Sequence, residues 1–170
     1  MNRNWNKNWR KSIIVMSGGF DPVHKGHLRM FREASWLGHQ VVVGLNSDEW
    51  LTRKKGKPFM KFEERKEIIE GFKYVNQVIP FDDSDDTASD LIRRVHNIYQ
   101  SDNYEYEASD LGHAGYIDYH EIYFANGGDR GKDNVPEMKV CKELDVTMLW
   151  GVGGGKIQSS SWLIDGKEDE

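Results

Sequence analysis

The sequence predicts an α/β fold, a doubly wound parallel sheet of five strands in one domain. Three observations predict it. Five short apolar runs occur along the chain, at Ile13–Val15, Val41–Leu45, Val75–Pro80, Glu121–Ala125 and Val146–Trp150. Stretches with helical spacing separate them, as the crossovers of parallel strands require. The first, fourth and fifth runs lead directly into glycine-bearing junctions, and such junctions meet at one edge of a parallel sheet.

Each element follows from local residues. Ile13-Ile14-Val15 is β-branched and apolar throughout, which suits a buried strand. The loop Ser17-Gly18-Gly19-Phe20-Asp21-Pro22-Val23-His24-Lys25-Gly26-His27 follows, then a helix over Leu28–Leu37 closed by Gly38. Val41–Leu45 is the second strand, and Asn46-Ser47-Asp48 supplies N-cap chemistry for a short helix through Leu51. Arg53-Lys54-Lys55-Gly56-Lys57-Pro58 reads as a basic loop on the side where open α/β sheets bind ligands. Phe62–Glu70 is a helix and Val75–Pro80 a third strand stopped by proline. The acidic run Asp82–Thr87 reads as a cap complementing the dipole of the helix around Leu91–Val95, with metal binding as the alternative.

Residues 101–120 have no clear period and read as an insertion, either a lid, an acceptor-binding segment or a subunit contact. His113, Asp118 and His120 lack metal-site spacing, so no metal ligand is assigned. Glu121–Ala125 runs into Asn126-Gly127-Gly128-Asp129-Arg130. Val135–Leu144 is a helix with Pro136 in its first turn. After the last strand come Gly151-Val152-Gly153-Gly154-Gly155-Lys156 and a final short helix opened by Ser159-Ser160-Ser161. Residues 1–11 form a polar arm, 12–164 the domain and 165–170 an acidic tail. Cys141, Trp36 and Trp150 are expected in the core; Trp162 sits either there or at the border of a site.

Composition limits the function classes. The chain has 170 residues, 38% of them hydrophobic and 30% charged, which suits one soluble domain. A net charge of −5 argues against a broad nucleic-acid surface. No apolar run approaches the roughly 20 residues that span a bilayer, and residues 1–9 lack the apolar core of a signal peptide. The single Cys141 leaves no internal disulfide and no cysteine-rich zinc site. A cytoplasmic location is expected.

The loop after the first strand carries the chemistry. Glycines at a strand end let backbone approach a ligand, and the following helix N-terminus favours an anion. His24 and His27, three positions apart on that first turn, point the same way and offer two N–H donors to a phosphate. Two rival phosphate motifs fail. A P-loop needs Ser or Thr where Ile157 stands and glycine where Trp150 stands. A dinucleotide fingerprint needs glycine at Lys156 and a further βαβ unit downstream.

His24-Lys25-Gly26-His27 after Gly19-Phe20-Asp21-Pro22 resembles the His-x-Gly-His signature of the cytidylyltransferase-like nucleotidyltransferases, a Rossmann-like group. Its branches include the glycerol-3-phosphate cytidylyltransferases, the heptose-1-phosphate adenylyltransferases and the phosphopantetheine adenylyltransferases. The resemblance runs from about Ser12 to Leu163. Gly127-Gly128-Asp129 matches the family's segment on the base and sugar. Ser159-Ser160-Ser161 resembles its late hydroxyl motif on the triphosphate, and Lys57 stands in the place of a family lysine. One departure is plain: where the glycerol-3-phosphate branch has Arg-Thr-x-Gly, this chain reads Gly154-Gly155-Lys156-Ile157. Either Lys156 replaces that arginine as the cation, or substrate handling differs.

The resemblance implies transfer of CMP from CTP to a sugar- or polyol-phosphate with release of pyrophosphate. ATP with a heptose-1-phosphate-like acceptor is the close alternative, and a non-catalytic nucleotide-binding protein the alternative of another class. It implies His24, His27 and Lys57 as catalytic residues. Gly18, Gly19, Phe20, Asp21, Gly26, Arg65, Gly127, Gly128, Asp129, Lys156, Ser159, Ser160 and Ser161 are the nucleotide-binding set. Asp21 either orients the loop or touches the acceptor, and Arg65 is read as directed at phosphate in preference to a purely structural role. Mg²⁺ is expected to arrive with the triphosphate, and a homodimer is expected by resemblance.

Overall fold

The computed structural model describes residues 12–100, 121–127 and 135–166. Its centre is β1 (Ser12–Gly18), whose first five residues are all buried. Because alternate side chains face opposite ways, Ile13 and Val15 enter the core on one face of the sheet and Ile14 and Met16 the core on the other. A central strand covered on both faces has no polar positions to spare, which is why this run lacks alternation. β2 (Gln40–Leu45) is buried along its whole length for the same reason.

The five strands are parallel throughout, in the order β3-β2-β1-β4-β5, with β3 at Gln77–Pro80, β4 at Glu121–Gly127 and β5 at Thr147–Val152. α1 (Lys25–Leu37) and α3 (Phe62–Glu70) cover one face through Phe31, Ala34 and Ile69. α4 (Ser89–Tyr99) and α5 (Met138–Glu143) cover the other through Leu91, Ile92, Val95, Val140 and Cys141. The chain winds outward from β1 to β3, then returns to lay β4 on the other side of β1. That reversal opens a crevice at the carboxyl ends of β1 and β4, where ligands of such sheets bind.

Several expectations are corrected. α2 runs from Asp48 to Lys55, beyond Leu51, so Arg53, Lys54 and Lys55 are its last turn and not a loop. Ser47 caps it by accepting from the Trp50 N–H, the three cations complement its C-terminal dipole, and Gly56 ends it at φ +86°. The acidic run does not cap α4, whose N-cap Ala88 makes no side-chain bond. Asp83 turns instead to the end of β2, accepting from Asn46 Nδ2 and from both the N–H and the Oγ of Ser47. Among the described residues no group of three or more His, Cys, Asp or Glu could hold a metal ion.

Pro136 lies in a turn ahead of α5 rather than inside it. β3 starts at Gln77, since Asn76 spends its side-chain oxygen and its N–H on the backbone of Val41. Trp36 is 58% exposed with the Arg32 guanidinium over its ring, and Trp150 is half-buried, so neither is core; Cys141 is. The polar arm, the insertion at 101–120, and Gly128, Asp129 and Arg130 lie outside the described residues. No described helix is long and apolar enough to cross a membrane.

Candidate active site

β1 delivers the first loop to the crevice, and two buried charged residues hold that loop from behind. Asp21, 1% exposed, accepts from the N–H groups of Phe59 and Met60, both at 2.7 Å. It therefore orients the loop, the first of the two roles open to it from sequence. Arg65, 0% exposed, donates to Gly19 O, Asn46 O and Met60 O and pairs with Asp48 at 2.7 Å. The phosphate role expected for Arg65 is thereby corrected: its guanidinium is consumed tying the ends of β1 and β2 to the α3 entry.

The helix start is built from the two histidines. Gly26 N–H donates to His24 Nδ1 (3.1 Å), and His24 N–H donates to His27 Nδ1 (3.3 Å). This is a reciprocal capping box with imidazoles in the places that Ser/Thr and Glu/Gln usually take. The rings stack at 3.7 Å between centroids, 21° from parallel, and Phe20 meets His27 edge-on at 4.8 Å. A Cβ at position 26 would sit 3.0 Å from the His24 ring, tighter than an ordinary contact, so glycine gives that ring room to fold back. Since both Nδ1 atoms accept, the hydrogen-bond pattern assigns both neutral rings as Nε2–H tautomers.

The surroundings keep the rings neutral. Burial lowers the His24 pKa from 6.5, helped by Lys55, Lys156 and Lys25. His27 is pushed down to about 3 by burial, then by His24 and Lys55. The consequence for stability has a definite sign. Below pH 6.5 the unfolded histidine takes up a proton that folded His27 refuses until about pH 3, so the unfolded state binds more protons and stability falls with pH. The slope reaches up to about 1.4 kcal/mol per pH unit for one such group. Chemical melts of the ligand-free protein between about pH 7 and pH 5 are expected to show this slope, shallower in His27→Gln; equal slopes would show that His27 does not remain neutral in the fold.

These rings border a cavity of about 310 Å³ at the crevice, within the size range of small-ligand sites. The ends of β1 (Ser17, Gly18), β4 (Phe124–Gly127) and β5 (Val152) form its floor, and residues 153–160 its far wall. Of the residues expected from sequence, Gly18, Phe20, His24, Gly26, His27, Gly127, Lys156, Ser159 and Ser160 meet there. Ser160 Oγ donates to Pro22 O at 2.8 Å, joining the serine segment at the start of α6 (Ser160–Asp165) to the histidine loop across the chain. Lys156 is exposed, with its Nζ 4.6 Å over the Trp162 ring, which places Trp162 at the border of the site.

Gly19, Asp21, Arg65, Lys57 and Ser161 do not line the cavity. Gly19 abuts Leu51, and Ser161 is exposed with its Oγ 2.8 Å from that of Ser159. Lys57 is exposed beyond the end of α2. Lys55 is exposed and does not line the cavity either, but its Nζ donates to Asp21 O in the histidine loop at 3.0 Å and its charge acts on both imidazoles. Reading residues 53–58 as loop hid it, because the helical last turn of α2 is what sets this lysine beside the carbonyl of Asp21.

Comparison with known proteins bears on this site. The family model described as cytidylyltransferase-like matches residues 15–146. Glycerol-3-phosphate cytidylyltransferase of Bacillus subtilis (strain 168) is 35% identical over 85 residues, 50% of this chain and 64% of that protein. Ethanolamine-phosphate cytidylyltransferase of Arabidopsis thaliana is 36% identical over 94 residues (55% and 22%), and bifunctional protein HldE of Coxiella burnetii 33% over 87 residues (50% and 18%). The matched stretch thus spans less than two thirds of each relative's length. Among solved structures, a lipopolysaccharide core biosynthesis protein from Thermoplasma volcanium GSS1 has a TM-score of 0.53 at 19% identity, covering 81% of this chain and 93% of that one. A bifunctional NMN adenylyltransferase/ADP ribose pyrophosphatase from Francisella tularensis has 0.58 at 15% identity, covering 91% and 41%. The likeness to these two structures is one of fold. With the family model matching more than half of its length, the chain belongs to the cytidylyltransferase-like family.

Proposed function

We propose that the protein is a nucleotidyltransferase that moves CMP from CTP to a phosphorylated small polyol or sugar, releasing pyrophosphate. The observation that carries this reading is the stacked pair of imidazoles, each with its Nδ1 turned back to accept from backbone, sharing one cavity with Lys156, Ser159 and Ser160. Two of the relatives above are named as cytidylyltransferases of phosphorylated alcohols, which supports CTP as donor; the HldE likeness keeps ATP as the second reading.

The acceptor, a phosphate monoester, is already anionic near neutral pH because its second pKa is about 6. It attacks the α-phosphorus without a strong base, so catalysis is positioning plus stabilisation of charge on the equatorial and departing oxygens. His24 and His27 donate their Nε2–H groups to the α and β phosphate oxygens. Lys55 and Lys156, whose charges depress the proton affinity of His24, neutralise the polyphosphate, and the Ser159 and Ser160 hydroxyls hold its far end. Among the described residues no carboxylate lines the cavity. A divalent cation such as Mg²⁺ would arrive with the nucleotide's own phosphates and would supply further charge neutralisation there.

Pyrophosphate release is the test, measured with CTP and with ATP against a panel of phosphorylated polyols and sugars. Release with CTP is expected; release with ATP alone selects the second reading, and tight nucleotide binding without release under any pairing selects a non-catalytic protein. In the same assay Lys55→Ala is expected to lower kcat/KM by roughly a hundredfold, as loss of a transition-state contact does. Lys57→Ala should stay within about threefold of wild type, the size of a surface effect. The reverse ranking would restore Lys57 to the site.

A further inference from the structure

We propose that Arg29 and Glu33, one turn apart on α1, form a clasp that positions the triglycine loop 153–155, and through it Lys156, for the triphosphate. The inference rests on the reading of the site given above. Arg29 Nε donates to Gly153 O, Arg29 Nη2 donates to Gly155 O at 2.7 Å, and Gly153 N–H donates to Glu33 Oε2 at 2.8 Å. Three backbone polar atoms of one short loop are thus held by two side chains spaced to share a helix face.

The loop is shaped for this contact. Gly153 and Gly154 have φ of +86° and +67°, a region that other residues enter only with strain. A Cβ on Gly153 would sit 3.0 Å from the backbone of Met30, and one on Gly154 would sit 2.7 Å from Arg29 Nη2. The loop backbone therefore lies directly on α1. The helix that carries His24 and His27 at its start grips, one to two turns later, the opposite wall of the same cavity.

The clasp has an electrostatic consequence. Carbonyl oxygens facing a polyphosphate would repel it; here two of them, on Gly153 and Gly155, face a guanidinium instead. A trans peptide directs its N–H opposite to its C=O, so holding Gly155 O on Arg29 turns the Lys156 N–H the other way. The chain lacks an arginine at Gly154-Gly155-Lys156-Ile157, where its resemblance led one to be expected. A guanidinium is nonetheless present at this loop, delivered from α1 and acting on its backbone. Arg29 does not line the cavity; it is a positioning residue.

The experiment is a double-mutant cycle of Arg29→Gln and Lys156→Gln, with Arg29→Lys and Glu33→Gln alongside. Its readouts are the Kd of the triphosphate that the wild type turns over, the KM of each substrate, kcat, and the thermal midpoint. Arg29→Gln is expected to weaken triphosphate binding by roughly tenfold, the scale of a charge-assisted hydrogen bond, with the acceptor KM and the midpoint little changed. Glu33→Gln should shift binding the same way but less, and Arg29→Lys should recover part of the loss. Once Lys156→Gln is present, adding Arg29→Gln should weaken binding by no more than about twofold, because both changes act through one loop. Wild-type affinity in Arg29→Gln, full additivity in the cycle, or a lowered midpoint with both KM values shifted equally would overturn the clasp while leaving the nucleotide site standing. A wild-type chain that binds no triphosphate removes the clasp and the site reading together.

Discussion

His27→Ala is expected to lower turnover by several hundredfold, roughly the loss that follows removal of one preorganised transition-state donor, while the nucleotide Kd changes far less. The geometry separates two roles that this residue plays. Its Nδ1 accepts from the His24 N–H and completes the helix cap; its Nε2–H is the donor proposed for the reaction. Alanine removes both. Glutamine is a normal partner in a capping box, so His27→Gln retains an acceptor for the His24 N–H but places no imidazole N–H at the phosphate. Turnover should therefore be low in both variants, with thermal stability closer to wild type in the glutamine variant. Steady-state kinetics paired with melting curves reads the two effects apart. Turnover near wild type in His27→Gln would make the imidazole a structural cap and leave His24 alone as donor.

How much of this could be read in advance depended on how local each cause is. The five-stranded parallel sheet was legible because buried central strands announce themselves: β1 and β2 carry the uninterrupted runs Ile13–Met16 and Val41–Leu45, and every residue of those runs is buried. The pairing of His24 with His27 was legible because three positions on a helix are one turn. The convergence of Ser160 with Pro22, 138 positions apart, followed only from the edge that parallel strands share. Side chains that serve tertiary contacts were misread in proportion to their rarity. Charged residues are seldom fully buried, so Arg65 looked like a phosphate ligand. Lys55 and Lys57 differ by whether α2 continues past Leu51, a boundary that propensity leaves open. The clasp of Arg29 on Gly153 spans 124 positions, and nothing in either segment alone points to the other.

The burial of Arg65 has its own measurable consequence: Arg65→Met is expected to destabilise the fold by about 4 kcal/mol, as breaking a buried ion pair by removing one partner does. The guanidinium makes four bonds, three to the carbonyls of Met60, Gly19 and Asn46 and one to Asp48, and its Cζ also lies 5.6 Å from the centre of the Phe62 ring. Methionine fills much of the volume but satisfies none of those oxygens, and each buried acceptor left unpaired costs about 1–3 kcal/mol. Lysine restores the charge without the planar fork and can reach only part of this set, so Arg65→Lys should also lose stability, by less. For a chain of this length about 4 kcal/mol corresponds to a drop of roughly 8–16 °C in Tm. Denaturant and thermal melts of both variants without ligand measure it. An arginine that contacted phosphate would behave in the opposite manner, leaving Tm unchanged and raising the KM of the triphosphate. That outcome would return Arg65 to the binding site, and it would mean that Gly19 and Asn46 at the ends of β1 and β2 are held together by something other than the Arg65 guanidinium.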